Sequence, residues 1–542
     1  MSFVSPRVAC LVGALLTWSG STAHAQYDPT SGQWGKDASH HLRVMSWNVK
    51  DGLCTSNDKQ EGQNNWTAIC RTVAAFQPDV LVLLECADNS GNGTGSGNDN
   101  VAELTGVLEL MMHGGSDPDH GGAAVTSYVQ LYAPGYDLPY IFVPNETDNF
   151  NRNAIMSRYP FADLNGDGHS TWSNIPNVSA TSYAPGGDGG IRGFQFVEID
   201  LPDNVYSGDL VLGGAHMKAG SQNSDEDQRR EAAQNVAYVV EHFFNGAGTG
   251  TVDPFNKIAD SPQATTVLDQ YTPVILAGDW NEDESTNGQK GPAEWLTHAQ
   301  FTGGTDGTDR DGSDMLYDDA LDYAGSDNSL GTKKLDYIAW QDSIATLQNQ
   351  FLFHSNVVPL ANLPAEMLGF PNPISISGWA SDHKLVICDF DLPRMIIDPL
   401  CFGDSQLAIC PCLNSTQAGE GCMNSTGDGA ILTYTGTAEI AADDLTLFAY
   451  QCRQSQTGVF LQGGTLTPQA FRDGILCVGP PTLRLEFVQT DFIGNATSSI
   501  SLVNDGNNVP GLTRYYQFWF RDPGGACGAG SNLSSALRVV WQ

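Results

Sequence analysis

The stretch Val274-Ile275-Leu276-Ala277-Gly278-Asp279-Trp280-Asn281 joins an apolar run to an abrupt polar end. Residues 274–277 have the length and β-branched content of a strand, and the absence of polar alternation is typical of a strand buried on both faces. Asp279 and Asn281 follow at once. In layered α/β folds, ligands bind where strands end and loops converge. The stretch therefore predicts a core strand that carries polar side chains to a site.

Further apolar runs of strand length lie between Leu42 and Leu392. They are 42–47, 80–84, 154–156, 194–199, 210–212, 335–339 and 385–390. A helix is predicted over 225–244, which opens with acidic residues and places apolar residues at helical spacing. Strands with interspersed helices predict an α/β layered domain.

Polar residues stand at the ends of these runs, next to them or, for Asp336, within one of them. One such residue would be unremarkable, because Asp and Asn cap turns in all kinds of proteins. The set comprises Asn48, Glu85, His216, Asp279, Asn281, Asp336, Asp382 and His383. Turn capping alone does not account for amides, carboxylates and histidines at six separate strand ends, so we predict that they form a functional site.

The ordered motifs resemble the endonuclease/exonuclease/phosphatase superfamily, which includes DNase I-like nucleases, abasic-site endonucleases, neutral sphingomyelinases and inositol phosphatases. The matching segments are 46–49 (SWNV), 83–85 (LLE), 214–218 (GAHMK), 278–281 (GDWN), 335–337 (LDY) and 381–383 (SDH). Each motif is weak by itself, but together they follow the family's order across about two-thirds of the chain. The resemblance implies a four-layered α/β sandwich of the DNase I-like type, with two central sheets flanked by helices.

The resemblance also implies a metal site. Asn48, Glu85 and Asp382 would hold a divalent cation through oxygen atoms. Mg²⁺ is the default expectation, and Mn²⁺ or Ca²⁺ are alternatives.

Five further residues receive catalytic roles from the same resemblance. Asp279 would orient or deprotonate the attacking water, while Asn281 and His216 would bind the phosphate. His383 would contact a phosphate oxygen or assist proton transfer, and Asp336 would hold its imidazole in one tautomer.

Two segments carry weaker predictions. Arg152, Asn153 and Lys218 could contact substrate phosphate, with a surface loop charge as the equally favoured interpretation. Residues 163–168 look like the first half of a calcium loop, but the twelfth position is Asn174 where a bidentate Glu is needed. A Gly-rich surface turn is the favoured interpretation, and weak calcium binding stays open.

The N-terminus has the features of an export signal: a basic residue, a short apolar run and an Ala-His-Ala cleavage site. No later stretch is long enough to span a bilayer. We therefore expect a protein that is secreted, periplasmic or at the cell surface. The predicted divisions are a signal peptide (1–25), an N-terminal linker (26–40), a catalytic domain (41–393), a Cys-rich boundary (394–428) and a β-sandwich accessory domain (429–542).

The C-terminal part has a different character. Seven of the 12 cysteines lie from Cys401 onward, and in an exported protein they favour disulfides, although their pairing is open. Alternating strands and turns predict a small β-sandwich without a helix. The segments 410–412, 421–422, 473–479 and 518–523 resemble a cysteine-containing β domain at the ends of exported planctomycete-type bacterial proteins. That resemblance implies attachment to a cell surface or matrix, with a purely structural appendage as the alternative.

The net charge of −37 bears on the substrate. An acidic surface repels polyanions, which counts against unaided DNA binding, although a bound divalent cation reverses the local field. The predicted function is a secreted, metal-dependent phosphodiesterase that acts on extracellular nucleic acid. The alternatives are a sphingomyelinase-like enzyme that recognises a lipid headgroup, and a non-catalytic surface-binding protein.

Overall fold

The computed structural model divides the chain into two compact units, Met1–Pro202 with Gly208–Pro393, and Asp203–Ser207 with Arg394–Gln542. The structure describes residues 27–542 except 51–52, 54–58, 87–99, 119–120, 146–150, 174–193, 204, 241–243, 245–267, 269–270, 287–290, 294–295, 297–314 and 395. The predicted signal peptide lies outside the described residues.

The described part of the first unit contains two six-stranded sheets and two short hairpins. The strands are β1 (Tyr27–Asp28), β2 (Gln33–Trp34), β3 (Leu42–Asn48), β4 (Val80–Leu84), β5 (Gly115–Asp117), β6 (Ala123–Val125), β7 (Tyr140–Phe142), β8 (Ala154–Ser157), β9 (Thr171–Trp172), β10 (Phe194–Ile199), β11 (Leu210–His216), β12 (Val274–Asp279), β13 (Leu316–Tyr317), β14 (Asp336–Trp340), β15 (Thr346–Phe353) and β16 (Leu385–Asp391). Every core strand predicted from the sequence is present.

The two large sheets have the same internal plan. Sheet I has the order β15-β16-β3-β4-β8-β7, and sheet II has the order β13-β14-β12-β11-β10-β9. β3 and β4 are parallel in sheet I, and β11 and β12 are parallel in sheet II. Each parallel pair is flanked by antiparallel strands. The parallel pairing brings the carboxyl ends of two strands to the same edge of each sheet.

Helices cover the outer faces of both sheets. The described helices of the first unit are α1 (Asn65–Phe76), α2 (Val101–His113), α3 (Tyr128–Tyr132), α4 (Asn223–Val239) and α5 (Ile376–Ala380). A further short helix, α6 (Leu502–Asp505), belongs to the second unit. One apolar core joins α1, α2, α3 and α5 to sheet I, and a second joins α4 to sheet II. The predicted four-layered sandwich is confirmed.

The inner faces of the two sheets pack against each other. A Cβ atom built on Gly214 of β11 would lie 3.1 Å from Cγ1 of Val82 in β4, so the absence of a side chain permits this close approach. Trp340 of β14 contacts Phe390 of β16, with ring centroids 5.3 Å apart. Polar side chains on these inner faces are consequently brought together where the strands end.

The start of α4 and the extent of the predicted N-terminal linker are among the boundaries that differ from the sequence-based expectation. α4 begins at Asn223, two residues before the predicted start, because Gln222 and Asp225 form a capping box at its first turn. The predicted linker at 26–40 contains β1 and β2, and Trp34 is buried with its ring against Phe353.

The second unit is an all-β sandwich. Its strands are β17 (Ile397–Leu400), β18 (Ile431–Thr435), β19 (Thr446–Tyr450), β20 (Thr457–Gly463), β21 (Thr465–Phe471), β22 (Gly474–Gly479), β23 (Leu483–Gln489), β24 (Ala496–Thr497), β25 (Thr513–Arg521) and β26 (Ser531–Val540). The sheet β17-β26-β25-β20-β23 and the sheet β18-β19-β24 share one apolar core. The expectation of no helix was wrong at one point: Ser501 caps the single turn of α6.

Disulfides tie this second unit together. The bonded pairs are Cys401–Cys477, Cys410–Cys422 and Cys412–Cys527. Buried free thiols are present at Cys70, Cys388 and Cys452. None of the helices in the described part of the chain has the length and apolar content needed to cross a bilayer.

Candidate active site

Strand alternation explains why the predicted site residues meet. Asn48, His216 and Asp279 are the last residues of β3, β11 and β12, and Asp336 is the first residue of β14. Their neighbours Trp47, Ala215 and Tyr337 belong to the outer cores under the helices. Because successive side chains point to opposite faces of a sheet, the polar residues project between the sheets. His216 stands opposite Asp279, and Asp279 stands opposite Asp336.

Asp279 is the centre of this arrangement. The Asn48 side chain in sheet I donates from Nδ2 to Oδ2 of Asp279 in sheet II, at 3.0 Å. The same oxygen lies 3.5 Å from Nε2 of His216 and 3.8 Å from Nε2 of His383. The other carboxylate oxygen accepts a hydrogen bond from the backbone N–H of Asn281, at 2.9 Å. One carboxylate thus contacts side chains from both sheets.

Burial sets the protonation of Asp279. Its side chain is almost completely enclosed, which disfavours the charged form, and the nearby Asp336 carboxylate disfavours it further. His383 and the hydrogen bond from Asn48 act in the opposite direction. The net effect raises the pKa of Asp279 well above that of an ordinary aspartate, which suits a group that must accept a proton near neutral pH.

His383 and Asp336 form a buried pair. Nδ1 of His383 lies 2.8 Å from Oδ2 of Asp336, and the Asp336 backbone N–H donates to Oγ of Ser329. Burial lowers the pKa of His383, but the charges of Asp336 and Asp279 outweigh it and raise that pKa to about 10. The imidazole is therefore protonated at neutral pH and can donate from Nε2.

Glu85 presents its carboxylate from an unusual backbone conformation. It follows β4 directly, has φ +54°, and places Oε1 3.6 Å from Nδ1 of His216. Asn281 after β12 has φ +56°. Non-glycine residues in this left-handed region cost roughly 1–3 kcal/mol and cluster at functional sites. Both strand ends therefore carry local strain beside the same site.

The donor set suits a hard divalent cation. Glu85 keeps 22% of its side chain exposed, and Asn48 is buried next to Asp279. Carboxylate and amide oxygens are the ligands that Mg²⁺ prefers. Asp382 stands apart from them, because its carboxylate contacts Nζ of Lys50 at 2.7 Å and is 43% exposed. Asp382 as a ligand would have to exchange this ion pair for the metal.

The residues predicted to bind phosphate are placed differently from one another. Arg152 is buried and donates to the backbone oxygens of Pro144 and Asn145. Asn153 is buried, with Nδ2 3.3 Å from Gln195 Oε1, and it directly precedes β8. Their polar groups therefore support the local chain in this structure.

The third predicted phosphate contact, Lys218, lies just after His216. Its Nζ is 3.7 Å from Asp225 of α4. Asn281 lies on the same side and donates from Nδ2 to the backbone oxygen of Met217, at 3.1 Å. Lys218 is partly exposed and lies two residues beyond the site, which places it better than Arg152 for contact with a substrate.

Two supporting residues had no role assigned from the sequence. Oγ of Ser381 donates to the backbone oxygen of Asn48 at 2.6 Å and accepts a hydrogen bond from the His383 backbone N–H at 3.0 Å. Arg229 in α4 is buried and donates to the backbone oxygens of Lys218 and Gly220. The sequence did contain a signal for Arg229: a basic residue on the buried side of an acidic helix indicates that its charge is used inside the fold.

Comparisons with known proteins identify the family of the chain. The family model described as Endonuclease/Exonuclease/phosphatase family matches residues 45–383. An endonuclease/exonuclease/phosphatase from Beutenbergia cavernae DSM 12333 is 16% identical, with 91% of this chain and 99% of that chain covered and a TM-score of 0.36. The human Nocturnin catalytic domain is 13% identical, with 65% and 95% covered and a TM-score of 0.34. Beta toxin from Staphylococcus aureus is 12% identical, with 64% and 99% covered and a TM-score of 0.32. No curated protein matches the chain.

Proposed function

The chain belongs to the endonuclease/exonuclease/phosphatase family, and on that premise we propose that it is a secreted, divalent-metal-dependent phosphodiesterase. The observation that carries the proposal is the contact of Asp279 with both sheets, through Asn48 and His383 on the side of sheet I and His216 in sheet II. A proton acceptor, the protonated His383 and oxygen ligands thus meet in one place, as hydrolysis of a phosphate ester requires.

A divalent cation would be held by Glu85 and Asn48, with Asp382 as a further ligand. Mg²⁺ is the expected ion, and Mn²⁺ or Ca²⁺ would fit the same oxygen donors. When bound, the cation would supply positive charge to the phosphate oxygens as negative charge develops on them. The side chains described below act on the water, the phosphate and the leaving oxygen.

Asp279 would accept a proton from the attacking water as the water oxygen forms a bond to phosphorus. One phosphorus–oxygen ester bond breaks in the same displacement, and the leaving oxygen takes up a proton from His383 or solvent. His216 and Asn281 would hold the phosphate oxygens in line, which accounts for their position on either side of Asp279. Asp336 is a positioning residue, because it acts through its 2.8 Å contact with His383.

The proposed substrate is extracellular nucleic acid. The chain's net charge of −37 disfavours long-range attraction of a polyanion, so binding would depend on the metal and on the local donors rather than on a basic surface.

A lipid phosphodiester is the second candidate, and a specific observation favours it. Leu368, Ile374 and Trp379 are 44–48% exposed in the segment that leads into Ser381 and His383. Exposed apolar side chains next to an active site can insert into a lipid surface. A nucleic-acid substrate can stack a base on Trp379 but has no comparable use for the aliphatic Leu368 and Ile374.

The test is product release from plasmid DNA, RNA and sphingomyelin micelles in parallel, each with Mg²⁺, with Ca²⁺ and with EDTA. His383→Ala is the catalytic variant. His113→Ala is the matched control, because His113 is also a histidine between two carboxylates but lies on the surface of α2. We expect metal-dependent DNA or RNA cleavage that His383→Ala lacks and His113→Ala retains.

Each outcome separates the candidates. Phosphocholine release with intact nucleic acid would replace the nuclease by the lipid enzyme. Cleavage that persists in EDTA, or that His383→Ala retains, would overturn the proposed mechanism. No cleavage of any substrate by the metal-loaded chain would support a surface-binding protein.

A further inference from the structure

A second group of carboxylate and amide oxygen atoms lies in the loop before β9, away from the site above, and within it Asp163 is exposed whereas Asn165 and Asp167 are buried. Asp163 accepts hydrogen bonds from the backbone N–H groups of Gly166, Asp167 and Gly168, at 2.8–3.1 Å. Gly168 has φ +86°, which favours glycine there. Asp163, Asn165, Asp167 and Gly168 occupy positions 1, 3, 5 and 6 of a calcium-loop spacing. Spacing and turn geometry alone do not make a site.

The independent observation is Glu198, which comes from a different part of the chain. This glutamate belongs to β10, and the loop encloses it: Ala162 donates to its backbone oxygen, and its own N–H donates to Ser170. The backbone N–H of Leu164 donates to Oε2. Glu198 is completely buried, and its other carboxylate oxygen, Oε1, has no hydrogen-bond partner.

The loop residues facing Glu198 are incompletely satisfied as well. Asn165 and Asp167 are completely buried, although the sequence favoured a surface turn. Oδ2 of Asp167 has no partner. No lysine or arginine in the described part of the chain forms an ion pair with Asp163, Asp167 or Glu198. Buried carboxylates without a cation are costly, and proteins normally pair them or use them to coordinate metals.

The electrostatics agree with this geometry. Burial raises the pKa of Glu198 to about 8, against the hydrogen bond from Leu164, and the charges of Asp167 and Asp163 raise it further. The pKa of Asp167 is also raised, mainly by burial. Among the described residues, the carboxylates of Asp163, Asp167 and Glu198 do not already lie within ligand distance of one another, so a cation would draw them together as it removes the repulsion.

We propose that Asp163, Asn165 and Asp167, together with Glu198, form a structural Ca²⁺ site. Glu198 supplies from a neighbouring strand the carboxylate that position 12 of the loop, Asn174, does not provide. Four side chains fall short of the 6–8 oxygen ligands of Ca²⁺, so backbone oxygens and water complete the shell.

The site is distinct from the catalytic metal site. Glu198 stands opposite Val211 near the start of β11, whereas His216 ends that strand. Five residues of strand separate the two levels, which is about 16 Å. The inference therefore does not depend on the proposed function.

The test is calcium titration by calorimetry on the full chain, stripped with EDTA and returned to excess Mg²⁺. Mg²⁺ occupies the catalytic ligands and competes poorly for a flexible oxygen-rich loop. We expect wild type to bind one Ca²⁺ and to gain about 3–5 °C in Tm at saturation. Glu198→Gln should weaken binding by about 10–100-fold or abolish it, and should lose the Tm gain.

Three variants sharpen this result. Asp167→Asn should behave like Glu198→Gln, and it decides the matter if the latter does not fold. Asp327→Asn removes an exposed carboxylate elsewhere in the unit and should keep wild-type calcium binding. Glu85→Gln alters the proposed catalytic metal site and should also keep wild-type calcium binding at the loop.

Several outcomes would overturn the site. Wild type that gives no calcium heat in excess Mg²⁺ would do so, and so would full binding by Glu198→Gln and Asp167→Asn. Calcium binding lost in Glu85→Gln but kept in Glu198→Gln would assign the ion to the catalytic end.

Discussion

Two groups of buried carboxylates lie at opposite ends of sheet II, and they differ in how their charge is balanced. At one end, Asp279 and Asp336 contact a protonated His383 and the amide of Asn48. At the other end, Asp167 and Glu198 form no ion pair with a lysine, arginine or histidine of the described residues, and each has an oxygen without a hydrogen-bond partner, as Asp336 also has at Oδ1. Both groups are enclosed to the same degree. The difference therefore lies in the partners and not in the burial.

The difference indicates what each group is for. Charges balanced within the protein remain available for proton transfer, because His383 and Asp279 can exchange protons with a substrate and still be paired afterwards. Charges left without a partner are an energetic cost until an ion arrives, so the second group suits a structural cation. Activity should thus depend on the first group, and cation-linked stability on the second.

The largest expected effect is on the proposed catalytic end of sheet II, where Asp279 and Asp336 contact His383 and Asn48. Asp279→Asn keeps the shape of the side chain but cannot accept a proton, so kcat should fall about 10²–10⁴-fold with Mg²⁺ present. Burial raises the folded pKa of Asp279 above its unfolded value of 3.8. The ionised form therefore costs stability as the pH rises through that range. In EDTA near pH 8, the Tm of Asp279→Asn should accordingly equal or exceed that of wild type.

Steady-state kinetics and thermal melts check both parts. A variant with wild-type kcat would remove Asp279 from the chemistry. A clearly lower Tm in EDTA near pH 8 would mean that the contacts of the ionised carboxylate with His383 and Asn48 outweigh the cost of its burial.

The catalytic end was predictable from the sequence, and the second group was only partly so. Asn48, His216 and Asp279 end apolar strands, so strand polarity places each of them at the carboxyl edge of its own sheet, and the packing of sheet I on sheet II brings the two edges together. Glu198 stands at the end of the apolar run 194–199, but nothing in the sequence connects it to a loop 30 residues earlier. That connection comes from the antiparallel pairing of β9 with β10.

Side-chain partners were the other unpredictable feature. The ion pair between Asp382 and Lys50 and the left-handed backbone of Glu85 depend on how loops close over the strand ends. Disulfide connectivity was open for the same reason: Cys412 pairs with Cys527, which is 115 residues away in the sequence. Local patterns fix strands, but distant contacts follow from the assembled sheets.

A smaller effect should come from the serine that joins the two halves of the catalytic end. Ser381→Ala removes a donor to the Asn48 carbonyl and an acceptor for the His383 N–H. Buried groups left unsatisfied cost about 1–3 kcal/mol of unfolding free energy. Displacement of Asn48 and His383 should also lower kcat, by about tenfold. Denaturant unfolding and steady-state kinetics measure the two effects.

Ser377→Ala is the matched control for this change. Ser377 is also a buried serine in the same segment, and its hydrogen bonds go to Ser355 rather than to a site residue. It should lose comparable stability and keep kcat. An equal loss of kcat in both variants would mean that Ser381 acts only through stability.

The smallest effect concerns a surface counterpart of the buried histidine. His113 lies between Glu109 and Asp137, at 2.6 and 2.9 Å, as His383 lies between Asp336 and Asp279. Burial lowers the pKa of His113, but its hydrogen bonds to the two carboxylates outweigh that and raise it. The stabilisation is therefore complete below the unfolded pKa of 6.5 and is lost as the pH rises through the folded pKa.

The measurement is the Tm difference between wild type and His113→Gln across pH, at low and high salt. At acid pH and low salt the histidine should stabilise by about 0.2–1 kcal/mol, the range of exposed ion pairs, and salt should reduce it because solvent ions reach the pair. The difference should vanish at alkaline pH, where the imidazole is neutral. A salt-independent effect of several kcal/mol would mean that two flanking carboxylates suffice without burial. The contrast between the buried and the surface histidine would then lose its physical basis, because enclosure is what separates His383 from His113.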